Sequence, residues 1–270
     1  MIGDIGQLPP VQAKSLWQEP LATDGDSNRG RRLYLDDFTS VIHLTENKRI
    51  LDDPNAAFYD AFLKRLRLGY TTSDDYKELR TKCSRYFLSD RIWNDRGFNS
   101  DTTTKVFPCN KDVNKENSRR LHQLGNPVVR IIAQNSNATA RQTPPERFQN
   151  LHNQIHLSIS SKIVIESNIS TAMGIVNGST GTVMDIVYDP NKPAPDLPLY
   201  IWINLPDYSG PTFFNNNPDR RHWIPLYPQT RQDERPNGGG MNYGNTRTQF
   251  PLRLAWAWTI HKCHGQTISG

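Results

Sequence analysis

Between Leu252 and Ile260 every second residue is bulky and apolar, and the residues between them are small or polar. A period of two over that length predicts a strand with one bulky face and one small face. The strand ends in a polar, basic and glycine-broken segment, residues 259–267, with the letters TIHKCHGQT. Because open α/β sheets present ligand-binding groups at the carboxyl ends of their strands, this basic segment is a candidate binding site.

Helical periodicity appears after Pro54, where Phe58, Phe62 and Leu66 share one face and Gly69 supplies a stop signal. The apolar spacing predicts a helix that carries these three side chains on one face.

A second helix is predicted after Thr72, which forms a capping-box pattern with Asp75. Residues 18–37 are charged and contain glycines, which predicts an exposed connection. Further elements predicted up to residue 133 are the strands Phe38 to Leu44, Val106 to Phe107 and Val128 to Ala133, and the helix Asn110 to Leu124. Strand alternating with helix in this half favours a parallel α/β sheet.

The second half changes character. Asn177-Gly178 is a hairpin-turn dipeptide that supplies positive φ angles. It lies between two predicted strands, Lys162 to Ile165 and Thr182 to Tyr188, and a third is predicted from Leu199 to Leu205. Short strands with turn signals and no helix between them predict a small β-barrel or sandwich.

The composition narrows the class of partner only slightly. The 270 residues are 36% hydrophobic, with a net charge of +5 and a sequence pI near 9.1, a modest basic excess that weakly favours a polyanionic partner. The three cysteines are odd in number and far apart, which fits neither a disulfide framework nor a metal site and predicts an intracellular, reducing location. No sequence window has the apolar length of a transmembrane helix.

The basic segment resembles the T-I-H-K-[small]-Q-G-x-T motif of superfamily-one DNA helicases of the Pif/RecD type, with His264 where that family usually carries Gln. A lysine contact to backbone phosphate is independent of base sequence, as a translocating motor requires. The resemblance implies phosphate contacts from Thr259, His261 and Lys262, with Gly265 and Gln266 nearer the nucleotide pocket.

Residues 3–11, GDIGQLPPV, resemble the G-D-x-x-Q-L-P-P-V motif of the same helicases. The resemblance implies that Gly3 and Asp4 lie at the nucleotide and that Gln7 senses the terminal phosphate. A neutral amide can register hydrolysis in this way because it hydrogen-bonds a phosphate oxygen or the attacking water.

Residues 44–49, LTENKR, are similar to the L-T-x-N-x-R motif that begins the second motor domain of the family. The resemblance implies that Arg49 reaches the terminal phosphate across the interdomain cleft. Arginine suits this role because its planar fork stays protonated in the transition state.

Residues 109–117, CNKDVNKEN, resemble the T-N-x-x-V-x-x-x-N segment that opens a helix near the DNA strand, with Cys109 in place of the usual Thr. A helix N-terminus bearing Asn110 can hold a backbone phosphate. A capped surface helix explains the same residues equally well.

Asn168 and residues 174–181, GIVNGSTG, look like the hairpin that starts the inserted barrel of these helicases. We interpret its glycines as structural, and Gly181 as permitting a close backbone approach. Trp256 and Trp258 could stack on bases, but their alternation with small residues favours core packing.

The resemblance implies an α/β fold: a RecA-like parallel-sheet motor domain with an inserted small SH3-like β-barrel. It further implies an ATP-dependent DNA helicase that moves on single-stranded DNA, 5′ to 3′, and unwinds forked duplex in DNA repair, recombination or telomere maintenance, in the nucleus, the mitochondrion or both. ATP and Mg2+ are the implied cofactors. The expected divisions are the end of the first motor domain (1–17), a linker (18–37), the second motor domain (38–156 and 249–270) and the barrel (157–248).

The chain contains no G-x-x-x-x-G-K-[ST] segment, no acidic magnesium-binding pair before Gly3, and no second arginine finger after the basic segment. We therefore expect a carboxyl-terminal helicase fragment that lacks the amino-terminal motor domain, supplies no Mg2+ ligand and does not hydrolyse ATP alone. The alternatives are a non-catalytic single-stranded-DNA-binding remnant of a transposon-type helicase and an unrelated α/β protein.

Overall fold

The structure, a computed structural model, describes Glu19 and residues 25–44, 56–81, 103–192, 194–233 and 244–263. The chain divides into two units, Met1–Arg96 and Gly97–Gly270. Among the described residues, no helix has the length and apolar character needed to cross a membrane.

The described part of the first unit contains three α-helices: α1 (Gly25–Arg32), α2 (Ala56–Leu68) and α3 (Ser73–Thr81). A π-helical turn, Leu33–Asp37, continues α1. The predicted connection at residues 18–37 has no buried residue among those described, as expected, but it is helical from Gly25 onward. A charged stretch can form an exposed helix when it carries acidic residues in its first turn and basic ones in its last.

Local signals set the ends of α2 and α3 as predicted. Gly69 ends α2 with φ +75. The capping box is also confirmed, because the backbone N–H of Thr72 donates to Asp75 Oδ2 at 2.9 Å and that of Asp75 donates to Thr72 Oγ1 at 3.2 Å. Arg65 of α2 forms an ion pair with Asp75, and this hydrogen bond is the main reason that the pKa of Asp75 lies well below its ordinary value.

The strand predicted from Phe38 to Leu44 is wrong. These residues form no regular element, and the side chains of Val41, Ile42 and Leu44 are 73%, 89% and 89% exposed. An apolar run becomes a strand only when a neighbouring strand takes its backbone hydrogen bonds, and no described residue does so here.

The second unit holds most of the strands. Its helices are α4 (Asn110–Gln123), α5 (Ala138–Gln142) and α6 (Ile260–Cys263). Its strands are β1 (Lys105–Phe107), β2 (Val129–Ile132), β3 (Gln134–Asn135), β4 (Gln154–Leu157), β5 (Lys162–Ile165), β6 (Thr180–Val187), β7 (Tyr200–Asn204), β8 (Trp223–Leu226), β9 (Gln229–Gln232), β10 (Thr246–Gln249), β11 (Leu252–Leu254) and β12 (Ala257–Thr259).

The strands form four sheets among the described residues. The largest is antiparallel, in the order β11-β5-β6-β7-β8, and the others are β3-β10-β9, the antiparallel pair β2-β4, and the parallel pair β1-β12. Parallel pairing therefore occurs where β1 meets β12, whereas β2 runs antiparallel to β4. A strand's position in the chain does not reveal its partner, which is why alternation of strand and helix predicted this pairing incorrectly.

The strand β5 is buried on both faces. Ile163 and Ile165 point into the main core, whereas Val164 packs against Ala255 and Trp258. Burial on both sides explains why β5 is a continuous apolar run and not an alternating one. The main core is formed by inward residues of the five-stranded sheet together with Ile131, Ile155 and Leu157 of the β2-β4 pair.

The single long strand predicted from Leu252 to Ile260 is wrong. The chain forms β11 in the antiparallel sheet, leaves it at residues 255–256, and forms β12 beside β1. Residues 255–258 are all buried, so burial does not alternate there. Pairing of its two ends with different strands, β5 and β1, overrides the period-two pattern. Core packing of Trp256 (7% exposed) and Trp258 (2% exposed) is confirmed.

The hairpin before β6 depends on its glycines. Among the described residues, Gly178 has a positive φ of +98 and Asn177 does not, so only the glycine meets the expectation for the dipeptide. A Cβ on Gly181 would lie 2.5 Å from the carbonyl oxygen of Asn204, which confirms the close backbone approach.

Candidate nucleic-acid interface

The carboxyl ends of β1 and β12 lie side by side. The strands are parallel, with Phe107 opposite Thr259. The chain leaves β1 to begin α4 at Asn110, and it leaves β12 to begin α6, which carries His261 and Lys262. The fold therefore brings Asn110 to the same edge of the sheet as Thr259, His261 and Lys262, although Asn110 lies about 150 positions before them in sequence.

The positive end of the α4 dipole is partly neutralised by a carboxylate, Asp112. Cys109 is the N-cap residue in extended conformation, and its side chain makes no capping bond to the helix backbone. Its Sγ instead donates to Asp112 Oδ2 at 3.0 Å. Since a carboxylate in the first turn already offsets the helix dipole, this terminus attracts an anion less than a bare one would. Asn110 is exposed beside it.

Asn117 attaches α4 to the basic segment's strand. Its buried side-chain amide donates to the carbonyl oxygen of Ala257 at 3.1 Å and accepts from the N–H of Ala257 at 2.9 Å. The amide thus satisfies both backbone groups of Ala257, the N–H and the carbonyl, which β1 leaves without a hydrogen bond. Asn117 is the last residue of the matched helix motif, and its positioning role was missed in the sequence analysis.

Glu116 links α4 to β1. Arg119 donates to its carboxylate at 2.6 and 2.9 Å, and Lys105 donates at 2.9 Å. The hydrogen bond from Arg119 is the largest cause that lowers the pKa of Glu116 to about 2; burial opposes it, and Lys105 adds to it.

The basic segment starts as a short, capped turn of helix. The backbone N–H of Lys262 donates to Thr259 Oγ1 at 3.4 Å. Thr259 is half-buried, whereas His261 is exposed. Lys262 has a side chain that is 22% exposed, so it is largely but not fully buried.

The hairpin contacts the basic segment directly. Lys262 Nζ lies 3.4 Å from Asn177 Oδ1, and the N–H of Asn177 donates to Asn168 Oδ1 at 2.8 Å. The sequence pattern indicated only a structural role for the glycines of this hairpin. The contact shows that the hairpin also lies beside the side chain predicted to bind phosphate.

A buried carboxylate lies beneath Lys262. Glu166 follows β5 directly, its side chain is 4% exposed, and its Oε1 lies 3.5 Å from Lys262 Nζ. His152 Nε2 lies 3.1 Å from the other oxygen, and Arg253 Nε lies 3.1 Å from Oε1 in an ion pair that lacks hydrogen-bond geometry. The sequence signal for Glu166 was an acidic residue immediately after an apolar strand, and it was overlooked.

Burial by itself raises the pKa of Glu166. The hydrogen bond from His152 and the charges of Arg253 and Lys262 outweigh that effect and hold the pKa of Glu166 below its ordinary value. The carboxylate is therefore ionised at neutral pH, and its one negative charge faces both Arg253 and Lys262.

The described residues include the DNA-contact candidates but not the candidates for nucleotide binding. The described ranges contain no group of three or more His, Cys, Asp or Glu side chains arranged to hold a metal ion. The residues assigned to the nucleotide lie outside the described part of the chain: Gly3, Asp4, Gln7, Arg49, Gly265 and Gln266. Their roles stay predictions.

The fold and the site define an α/β protein with nucleic-acid-binding candidates at the carboxyl edge of parallel strands. Solved structures share this fold. Bacteroides Pif1 bound to ssDNA matches with a TM-score of 0.58 and 19% identity, covering 99% of this chain and 53% of that one. Candida albicans Pif1 helicase matches with a TM-score of 0.51 and 21% identity, covering 79% and 46%. The fold is thus α/β and RecA-like.

Curated relatives in sequence are also Pif1 helicases. The ATP-dependent DNA helicase PIF1 of Xenopus laevis is 28% identical over 267 residues, which is 98% of this chain and 35% of the relative. Pif1 of Campylobacter jejuni is 28% identical over 278 residues, which is 99% of this chain and 55% of the relative. No protein-family model matches the chain. The relationship to Pif1-type superfamily-one helicases that the motifs predicted is confirmed over nearly the whole chain.

Proposed function

We propose that this chain is the strand-gripping part of a Pif1-type ATP-dependent DNA helicase that steps along single-stranded DNA, 5′ to 3′, and unwinds forked duplex. The names of the relatives and the solved complex with ssDNA support the proposal. The chain spans about a third to a half of the length of these relatives. Action inside the cell, in nuclear or mitochondrial DNA repair, recombination or telomere maintenance, is part of the proposal.

In this proposal Lys262, Thr259 and His261 hold the phosphate backbone, and Asn110 adds a contact from α4. Gln7 and Arg49 sense the terminal phosphate of ATP, which the intact enzyme binds with Mg2+. The antiparallel sheet built around β5, β6, β7 and β8 is the core of the SH3-like barrel inserted at 157–248. The second motor domain then comprises 38–156 and 249–270, preceded by a linker at 18–37 and the end of the first motor domain at 1–17.

One observation carries the proposal. Four residues that the family resemblance assigns to DNA lie at one sheet edge, where two parallel strands end. Thr259, His261 and Lys262 are neighbours in sequence, so the informative part of this observation is that the pairing of β1 with β12 brings Asn110 to the same edge. Backbone phosphates contacted at such an edge give affinity without sequence preference.

The test is a titration of the full chain with a fluorescent oligothymidylate. Lys262→Ala removes one phosphate contact, so we expect affinity to fall on the order of tenfold and the salt slope to flatten by about 0.7. The control is Lys192→Ala, the same charge change at the other end of β6 from Asn177, about 25 Å away along that strand. Equal affinities and salt slopes for wild type and Lys262→Ala would contradict the proposal.

We expect the chain by itself not to release phosphate from ATP, because it has no G-x-x-x-x-G-K-[ST] segment to hold the β- and γ-phosphates. Phosphate release stimulated by single-stranded DNA would show that expectation to be wrong. The alternative is a non-catalytic binding module, and it predicts the same result in the DNA titration. The two proposals differ in what the gene must encode. A helicase requires a G-x-x-x-x-G-K-[ST] segment, either in the same reading frame or in a partner subunit, whereas a binding module does not.

A further inference from the structure

The buried cluster around Glu166 has a charge imbalance that the proposed function does not use. Three elements direct a basic or titratable side chain at one carboxylate: the segment before β4 through His152, β11 through Arg253, and α6 through Lys262. Nη2 of Arg253 is buried and has no hydrogen-bond partner within the described ranges. The cluster therefore carries more positive charge than Glu166 can neutralise.

The Lys262 ammonium is held loosely. Its two polar neighbours in the described structure are Glu166 Oε1 at 3.5 Å and Asn177 Oδ1 at 3.4 Å. Both distances exceed the usual length of a charge-assisted hydrogen bond, about 2.7–2.9 Å. An ammonium with three N–H donors can therefore leave these partners for a phosphate oxygen at small cost.

A phosphate on Lys262 would meet a like charge. Its oxygen would lie about 3 Å from Nζ, and so at most about 6.5 Å from Glu166 Oε1. Coulomb's law at that separation weakens phosphate binding about threefold in bulk water and about 75-fold at the effective dielectric constant of about 20 near a protein surface. Because Lys262 is partly exposed and salt screens the charges, we expect a factor on the order of ten.

We propose that Glu166 is an internal counter-anion that competes with nucleic-acid phosphate for Lys262 and so weakens the grip on the strand. The inference rests on the proposed function, since it concerns the same lysine. A motor must release each phosphate to take the next one, and a carboxylate that receives the ammonium back lowers the barrier to release. Glu166 thus acts through Lys262 and does not contact DNA.

A purely positioning role for Glu166 would predict the opposite change in DNA affinity. If Glu166 only positions Lys262 for phosphate, removing its charge disorders the lysine and weakens binding. If it competes, removing its charge strengthens binding. The measured direction of the change therefore decides between the two roles.

The experiment measures oligothymidylate affinity of the full chain by fluorescence anisotropy over a series of salt concentrations. Glu166→Gln keeps the shape and removes the charge, so we expect binding to tighten about tenfold and the salt slope to steepen by up to about 0.7. In a Lys262→Ala background the same change is expected to lose most of this effect. The matched control is Glu146→Gln, an equal charge change at an exposed position outside the cluster, expected to alter affinity less than about twofold.

Glu166→Gln leaves two cations without a counter-charge and could prevent folding. Glu166→Asp avoids this problem because it keeps a negative charge inside the cluster, while the side chain, shorter by one methylene, holds the carboxylate farther from Lys262. Its expected affinity lies between those of wild type and Glu166→Gln. Melting temperatures of both variants establish that they are folded.

Unchanged or weaker binding by a folded Glu166→Gln, or by Glu166→Asp if the first does not fold, would overturn the inference. So would a gain that persists undiminished without Lys262. The proposed function fails separately, when Lys262→Ala binds as tightly as wild type.

Discussion

Arg247 of β10 is fully buried, and its guanidinium organises the loop region before β4. Among the described residues, its hydrogen-bond partners include no carboxylate. Burial lowers the pKa of Arg247 from its ordinary value, which for arginine still leaves the side chain charged. Its donors are used by side-chain and backbone oxygens at 2.6–2.9 Å: Asn135 Oδ1 and the carbonyls of Leu151, Ala140 and Thr143.

Replacing Arg247 by Met keeps the apolar stem and removes every donor. The carbonyls of Leu151 and Thr143 then lose their partner, at about 1–3 kcal/mol each, whereas the carbonyl of Ala140 keeps the backbone N–H of Thr143. The guanidinium also stacks on Phe148, with its carbon 4.4 Å from the ring centroid, a contact of about 1–2 kcal/mol. Relief from burying a charge offsets part of this loss, so we expect a net destabilisation of about 4 kcal/mol.

The assay is urea unfolding of the full chain, followed by tryptophan fluorescence. With an m value of about 2 kcal/mol/M, the midpoint of the transition that reports on the second unit should fall by about 2 M while m stays constant. Arg141→Met on the exposed surface of α5 is the control and should cost less than about 0.5 kcal/mol. A loss below about 1 kcal/mol for Arg247→Met would refute the reasoning, because it would mean that water satisfies the freed carbonyls.

Three further changes test the packing that supports the site. Gly181→Ala should destabilise by about 1–3 kcal/mol in thermal melts, since its Cβ would meet the carbonyl oxygen of Asn204 at 2.5 Å and force β6 from β7. Asn117→Ala should cost about 2–3 kcal/mol and also weaken DNA binding, because the backbone of Ala257 loses both its bonds to the amide. Glu116 has its pKa depressed from 4.5 to about 2, so its stabilisation is complete above pH 4.5 and is lost as the pH falls toward 2.

Each of these has its own control. Gly30→Ala, where a Cβ meets no atom within 4 Å, should not destabilise, and an equal loss at both glycines would contradict the steric argument. Asn114→Ala on the exposed side of α4 should leave DNA affinity unchanged. Glu116→Gln should remove the corresponding part of the acid-induced loss of stability; an identical pH profile in the variant would show that other carboxylates are responsible.

Local chemistry made several elements predictable. Gly69 ends α2 because it adopts a positive φ that other residues avoid, and Thr72 with Asp75 starts α3 through reciprocal bonds between neighbours in sequence. The bounds of β5 also agreed with the prediction, because its apolar run is flanked by polar residues. In each case the interactions that define the element lie within a few residues of it.

Elements whose form depends on a distant partner were predicted less well. The stretch from Phe38 to Leu44 has the apolar residues of a strand but no strand beside it within the described ranges. The stretch after Leu252 has the alternation of one strand, yet it is divided between two sheets, because β5 and β1 take different parts of its backbone. Pairing energy, which sequence periodicity does not contain, decided both.

The sequence by itself determined the family relationship and the identity of the phosphate-binding candidates, since motif residues can be compared letter by letter. Only the tertiary structure decided that Asn110 and Lys262 share an edge and that Lys262 lies against Glu166. The reason is physical: the field at a charged group is set by whatever lies within a few ångströms of it, and folding brings those neighbours from positions almost 100 residues away.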